Sequence, residues 1–557
     1  MRRLPVHRAL CLLVLLALGL GSAGWGCAGP PVPRGATAST RYEDLVALFR
    51  EWRAFQTPPV RDGVPDYRPA TMAAQYRELP RWRSRLAAID AASWPIAQQA
   101  DWHAVRAEMN GLDFDHRVLE PWANNPAFYV TAFGSESDQP AREGPFAAGA
   151  ADLWACQFPM TAEEARGLAP RIRAIPRLLA QAKSNLVGNG KDLWTYAPLA
   201  IREQSADLAA FAGRLSDDTA ALKADVLAAK AATDAFAAWV EDQAKARTGP
   251  SGVGIDHYTW YLRHVQLVPH AWQDQVTLME RELARAHTLL AAEEVRNGTV
   301  PPQTPVSSAD EHARRFPAAV TEYMAFLESR QVLTVKPYMA AALTARVGRF
   351  SPGPREFFTE VDYRDPVVMR THGFHWFDKA AMAHEPAPSP IRAVPLLYNI
   401  FDTRTEGLAT GWEEWMMQAG LFDARPRSRE LIYILVAQRA ARALGDLRMH
   451  ANMQTLEQAA AFAAAHTPRG WLSLDGQLVR GEQHLYLQQP AYGTSYLIGK
   501  MQIERLVAMR RRQLGDRFTW RGFMDELTAA GLMPMSLITW QLTGELPDDL
   551  RQVLASR

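Results

Sequence analysis

The sequence predicts a large, mainly α-helical protein with a minor β component. Apolar residues recur at helical spacing through most of the chain beyond residue 41. Alanine-rich text at 161–245 adds high helix propensity to that spacing. Strand alternation alternating with helices and a glycine-rich phosphate loop are both missing, which removes a doubly wound parallel sheet. With 557 residues, 48% of them hydrophobic, the chain can bury a large core, and its net charge of +1 excludes the basic surface that a nucleic-acid partner requires.

The elements follow in order. Arg2, Arg3 and Arg8 precede the apolar run LCLLVLLALGLG, which is short for a membrane span and reads as the core of an export signal over 1–27. Cys27 is positioned either as a lipid-modified first residue or beside a simple cleavage site. The location expected is therefore outside the cytoplasm, periplasmic or lipid-anchored in a bacterial envelope, with no transmembrane span in the mature chain. Residues 28–40, rich in Gly, Pro and Ala, read as a flexible tether. Cys156 is the one cysteine beyond the leader, so no disulfide framework forms within the mature chain, and its setting suits a small buried hydrophobe.

Helices are expected near 42–56, 72–89 and 96–109, then a packed irregular segment over 112–146 whose aromatics suit a core or groove wall. After the helical text of 161–245, TGPSGVGI breaks the pattern and a long amphipathic run resumes over 271–296. The connector 297–307 is the best internal boundary, giving helical regions at 41–300 and 308–557 that are expected to form one continuous body. His257, His264, His270 and His287 stand singly on helical or turn text and read as surface or core histidines. Aromatic and β-branched residues between positions 354 and 366 suggest a short strand at a cleft mouth, and residues 406–512 read helical apart from HTPRGWLSLDG and the QQPAYGTSY turn.

Chemistry concentrates between His372 and Phe422. A helix bearing His-Glu-x-x-His holds zinc with its two histidines while the glutamate takes a proton from bound water. Here the corresponding text is His384-Glu385-Pro386-Ala387-Pro388, so the second histidine is absent and the prolines stop the helix. His372 and His375 lie three apart just upstream, and Glu406 lies 22 residues beyond His384 on helical text. No Gly-x-Ser-x-Gly elbow surrounds Ser495, which argues against a serine hydrolase.

These residues resemble the DUF885 family of bacterial metallopeptidase-like proteins. Its central pattern, His-Glu-x-x-Pro-Gly-His-His, is met by His384, Glu385 and Pro388, with Ser389, Pro390 and Ile391 where Gly-His-His would stand. Farther on, Glu406, Gly407, Ala409 and Glu413 resemble its Glu-Gly-Trp-Ala stretch and second glutamate. Arg439, Arg442, Asp446 and His450 fit Arg-x-x-Arg-x-x-x-Asp-x-x-x-His, and Tyr486, Pro490, Ser495, Tyr496, Gly499 and Lys500 fit a later pattern in which Ala491 and Tyr492 replace Gly and Gln.

The resemblance implies a zincin-related, metallocarboxypeptidase-like fold around a central cleft, with His384 and Glu406 as metal ligands and Glu385 as general base. Zinc needs about three protein ligands and a water position. His372 or His375 would then complete a His372/His375/His384/Glu406 set; otherwise the site is degenerate, no metal binds, and His375 packs with Trp376 at the cleft wall. His450, Tyr486 and Tyr496 would donate to an oxyanion, or form a polar network beneath the cleft. Arg439, Arg442 and Asp446 are expected to make salt bridges along one helix face, and Arg392 to bind a substrate carboxylate or neutralise Glu385 and Glu406. Two functions stay open. One is an exported protein with an altered, inactive site that binds peptides or acts as an interaction protein of the envelope; the other is an active metal-dependent peptide or amide hydrolase using Glu385.

Overall fold

The computed structural model describes residues 39–555, so the expected leader and Cys27 lie outside the described residues. The first helices are α1 (Tyr42–Gln56), α2 (Pro69–Ala87) and α3 (Ile96–Phe114), with the short antiparallel pair β1 (Val60–Arg61) and β2 (Val64–Pro65) between the first two. In α1 the residues Leu45, Leu48, Phe49 and Trp52 recur on one face and are buried, and Trp52 donates its indole N–H to Glu108 of α3 at 3.0 Å. The segment after α3 is irregular, as predicted: a single π turn (Asp115–Leu119), α4 (Pro121–Asn124), and the parallel pair β3 (Ala132–Phe133) and β4 (Ala151–Asp152). Residues 134–150 join these two strands without regular structure.

Helices α5 (Ala162–Asn185), α6 (Lys191–Arg214) and α7 (Ala220–Ala244) enclose a core of their own around Trp194, Ile201 and Phe236. The capping box at the start of α5, where Thr161 and Glu164 bond each other's backbone amides, fixes where this unit begins. Next come α8 (Ile255–His264), α9 (Trp272–Arg296), α10 (Ala309–Arg330), α11 (Pro337–Thr344), α12 (Phe357–Arg364), α13 (Pro366–His372) and α14 (Phe374–His384). The strand expected between 354 and 366 is instead α12, because Phe357 and Val361, four apart, bury on one face. Asp365 then caps α13 by accepting from the Val367 amide, just ahead of Pro366 at the first helical position.

The remainder is α15 (Asp402–Gln418), α16 (Arg427–His450), α17 (Leu456–His466), α18 (Leu478–Gln488), α19 (Tyr492–Leu514), α20 (Trp520–Ala529), α21 (Met535–Thr543) and α22 (Asp548–Ala555). Helix α16 is buried on nearly every side, packing on α9, α17 and α19. One extended hydrophobic core runs from Leu45 in α1 to Leu554 in α22. Helices α15 and α19 cross almost backbone to backbone: a Cβ on Gly407 would lie 2.4 Å from Gly499, and one on Gly499 would lie 2.0 Å from the Thr403 carbonyl. That contact requires both glycines, and it sets Glu406 against the start of α19. The fold is mainly α-helical with minor β structure, and among the described residues no helix is long and apolar enough to cross a membrane.

Candidate metal centre

Helices α13 and α14 meet at Gly373, so His372 ends one and His375 lies one residue into the other, their rings 5.0 Å apart. Asp138 comes from the 134–150 segment, and one ligand atom from each of Asp138, His372 and His375 lies within 4.8 Å of the others. From α15, Glu406 sets its Oε2 3.5 Å from His375 Nε2. Both atoms are buried and pair only with each other at that distance, whereas Glu406 Oε1 accepts from Tyr492 at 2.5 Å and Gln139 at 2.8 Å.

A second layer holds the imidazoles. Glu413 lies 3.0 Å from His372 Nδ1 and accepts two bonds from the Arg439 guanidinium, at 2.6 and 2.8 Å. Arg439 Nη2 also lies 3.2 Å from His372 Nδ1; in the tautomer whose Nδ1–H is donated to Glu413, His372 has Nε2 left for a ligand, an arrangement typical of metal-binding histidines. Burial alone would depress His375, but the charges of Asp138 and then Glu406 outweigh it and raise it to about 9. Burial likewise opposes ionisation of Glu406, yet His375, His372 and the Tyr492 hydroxyl keep its carboxyl below the ordinary range. Beside it, burial and the Glu406 charge push Asp402 well up, and burial with Asp138 raises Glu143 to about 7. Asp138, His372 and His375 form a cluster that could coordinate an ion favouring nitrogen and oxygen, with the Glu406 carboxylate beside it.

The structure does not bring His384 and Glu385 into this group. Helix α14 ends at His384, whose ring stacks on Tyr338 at 4.9 Å, and Glu385 is exposed, bonded to Lys336 at 2.9 Å and Tyr338 at 3.1 Å. The Lys336 ammonium holds that carboxyl below the ordinary range. Arg392 is also elsewhere: it is buried on Asp101 at 2.6 Å and donates to the Ala530 carbonyl and Gln541, so it neutralises neither Glu385 nor Glu406. Glu385 and Arg392 line a different groove of about 450 Å³ with Lys336 and Asp525.

The expected salt bridges along α16 are not made, because each residue faces a different helix. Arg439 pairs with Glu413 of α15 and Arg442 with Glu482 of α18, while Asp446 faces the amides of Ala491, Gly493 and Thr494 at the start of α19. Those amides have no partner within their own helix and favour a carboxylate, but burial outweighs them and pushes Asp446 well up. His450 is fully buried, its Nε2 3.0 Å from the Tyr486 carbonyl, and burial lowers it to about 4. Tyr486 and Tyr496 flank Arg442 and feel the Glu406 charge; burial raises both phenols, leaving them neutral donors.

Three residues at the centre had escaped the sequence reading. Asp138 and Gln139 sit in irregular text 234 positions before His372, where nothing local marks them. Tyr492 stands where the resembled pattern has Gln, and that departure was the available signal.

The family model described as "Bacterial protein of unknown function (DUF885)" matches residues 53–422 and 375–542. No curated protein matches the chain. Two solved structures share the fold, each described as a "putative lipoprotein". That from Shewanella oneidensis, of unknown function, is 16% identical over 90% of this chain and 98% of its own, with a TM-score of 0.62. That from Colwellia psychrerythraea is 14% identical over 93% of this chain and 100% of its own, with a TM-score of 0.60.

Proposed function

The chain belongs to the DUF885 family of bacterial proteins of unknown function, and on that premise we propose that it is an exported, metal-binding envelope protein that holds peptides at an altered metallopeptidase-like centre without cleaving them. The observation that carries this reading is the cluster in which one ligand atom from each of Asp138, His372 and His375 lies within 4.8 Å of the others, with Glu406 Oε2 3.5 Å from His375 Nε2. An ion held by these residues would replace the His375–Glu406 ion pair as the partner of both atoms.

Asp138, His372, His375 and Glu406 would hold zinc, and the ion would supply a Lewis acid toward a peptide carbonyl. Glu413 fixes the orientation of His372, while Tyr492 and Gln139 hold Glu406 so that Oε2 points at His375. What the centre lacks is the expected base, Glu385. The hydrolytic alternative needs Glu385 as base, and that carboxylate is engaged at the surface with Lys336 and Tyr338. A zincin-related origin agrees with a donor set that keeps ligands and has lost the catalytic carboxylate. Export is supported by the basic-then-apolar leader with Cys27 and by the lipoprotein descriptions of the two fold relatives.

Elemental analysis of protein prepared with zinc tests this. About one equivalent is expected, lost on Asp138→Ala or His375→Ala and kept on His384→Ala, while less than about a tenth of an equivalent would refute metal binding. Peptide-library turnover abolished by Glu385→Gln would refute the non-hydrolytic reading.

A further inference from the structure

Apart from the metal centre, where α3 gives way to the π turn, a cavity of about 290 Å³ is walled by aromatic rings, among them Tyr67, Trp122, Phe128, Tyr261 and Tyr398. One carboxyl, that of Asp115, lines it. Among the described residues no hydrogen bond and no ion pair reaches that side chain; its electrostatic neighbours are the phenols of Tyr67, Tyr261 and Tyr398. Burial raises its carboxyl to about 8, with no cation to offset the effect. Arg142, the cation on the wall, is turned to the Ser135 carbonyl and stacked over Phe133.

The backbone around this carboxyl is held in unusual shapes. Asp115 opens the π turn, a local geometry that recurs at functional sites. Glu120 closes it at φ 38°, and across the cavity Tyr398 and Asn399 have φ 56° and 47°. Left-handed backbone at bulky residues persists only where its surroundings enforce it, and it gathers at ligand clamps. Tyr398 further needs a glycine opposite: a Cβ on Gly111 would lie 2.3 Å from its ring. The fold thus accepts strain at Tyr398 and gives up helix propensity at Gly111 to set that ring in the wall.

We propose that this cavity binds a primary ammonium group on an apolar body, with Asp115 as its counter-ion and the aromatic rings around its stem. A carboxylate among rings is the complement of an organic cation, since the ring faces attract the ammonium as the carboxylate does. An uncharged apolar ligand would leave Asp115 unpaired, whereas an ammonium would draw off its proton and hold it ionised. The volume lies at the small end of ligand sites and suits one aromatic or branched residue-sized group. The ammonium is that of a free amine or of a peptide's first residue. Gln489 lines the cavity wall and donates to Asp402, whose carboxyl feels the Glu406 charge, at 2.6 Å.

Calorimetry on the full mature chain tests the assignment with 2-phenylethylamine against 2-phenylethanol, which has the same shape and no charge. The amine should bind at least about tenfold tighter, and Asp115→Asn, which keeps the side-chain shape, should remove that preference. Equal affinities in the parent protein, amine binding weaker than about 1 mM, or a preference that survives Asp115→Asn would each overturn the proposal. Phe-Gly-Gly amide and its N-acetyl form identify the source. A free-amino peptide tighter than phenylethylamine marks a peptide terminus, and a weaker one marks a free amine. Zinc content in Asp115→Asn should equal that of the parent, so failure here leaves the metal reading separately testable.

Discussion

The Arg439–Glu413 pair supports both the fold and the candidate ligand His372, so Glu413→Gln should damage each in a separable way. The two side chains are 1% and 0% exposed and joined by two parallel charge-assisted bonds of 2.6 and 2.8 Å, with His372 Nδ1 at 3.0 Å from the same carboxylate. An amide at this position keeps one acceptor oxygen and turns a donor toward Arg439. Leaving the guanidinium buried without its counter-charge costs about 3–5 kcal/mol. Chemical unfolding of metal-free protein should register that loss as a lower midpoint of the transition involving α15 and α16. A paired replacement, Glu413→Leu with Arg439→Met, removes both charges and should be less damaging than the sum of the single changes, with a coupling of about 0.5–3 kcal/mol. Separately, zinc affinity should fall about 10–100-fold in Glu413→Gln, because His372 loses the acceptor that fixes its tautomer. A metal-free Glu413→Gln protein within about 1 kcal/mol of the parent would refute the stability argument. Unchanged zinc affinity would show that His372 is not held through Glu413.

Other substitutions follow from single contacts. Gly407→Ala places a Cβ 2.4 Å from the Gly499 backbone, and since neither side is a flexible side chain, a loss of about 1–3 kcal/mol or more is expected by thermal unfolding. A cost below about 0.5 kcal/mol would mean that α15 and α19 separate freely. Cys27→Ser should move the protein from membrane to soluble fractions if the cysteine carries lipid, and an unchanged distribution would exclude that anchor. Asp115 gives a pH dependence with a definite sign. Its folded carboxyl, at about 8, is raised above its unfolded value, so its contribution is fully present at low pH and is lost as pH rises toward about 8. The surrounding phenols are themselves raised, so they stay neutral through this range. Asp115→Asn should therefore gain stability over the parent between about pH 5 and pH 8, and a flat difference in unfolding midpoint would exclude the raised value.

Periodicity made the helices legible because burial enforces it. The face of α1, Leu45, Leu48, Phe49 and Trp52, can be read directly from its spacing. It failed at residues 357–364, where aromatic and β-branched composition suggested a strand but two buried residues four apart make a helix. Glu406 and Glu413 could be found because they match the resembled Glu-Gly-Trp-Ala stretch and its second glutamate. His384-Glu385 drew attention as a contiguous pair, yet a helix that ends at His384 cannot carry the next residue onto its buried face, and Lys336 and Tyr338 take Glu385 at the surface. The α16 residues misled for a related reason. Spacing tells which residues share a helix face, but in a helix buried all round, neighbours from other helices compete for each charge, and Glu413 and Glu482 win.

The 134–150 segment explains why one of the four candidate ligands was unreadable. It has no periodicity because its bonds run to residues distant in sequence, many of them side chains from the second half of the chain. Lys379 donates to the Ser137 carbonyl and lies 2.6 Å from Glu136, the Arg142 carbonyl accepts from Asn399, and the Gly144 amide donates to Gln489 at 2.6 Å. Held in this way, the segment delivers Asp138 and Gln139 to the imidazoles and Arg142 and Gly144 to the wall of the aromatic cavity. It places Asp138 and Glu143 beside Glu406 and Asp402, where Asp138 and Glu406 face His375 while Asp402 and Glu143 are pushed up. Lys379 and Arg346 are already engaged by Glu136. A divalent ion among Asp138, His372, His375 and Glu406 would take one ligand, Asp138, that only this segment supplies. Asp138→Asn should then weaken zinc binding while leaving the helices intact by circular dichroism, whereas undiminished binding would assign the ion to the helical residues alone.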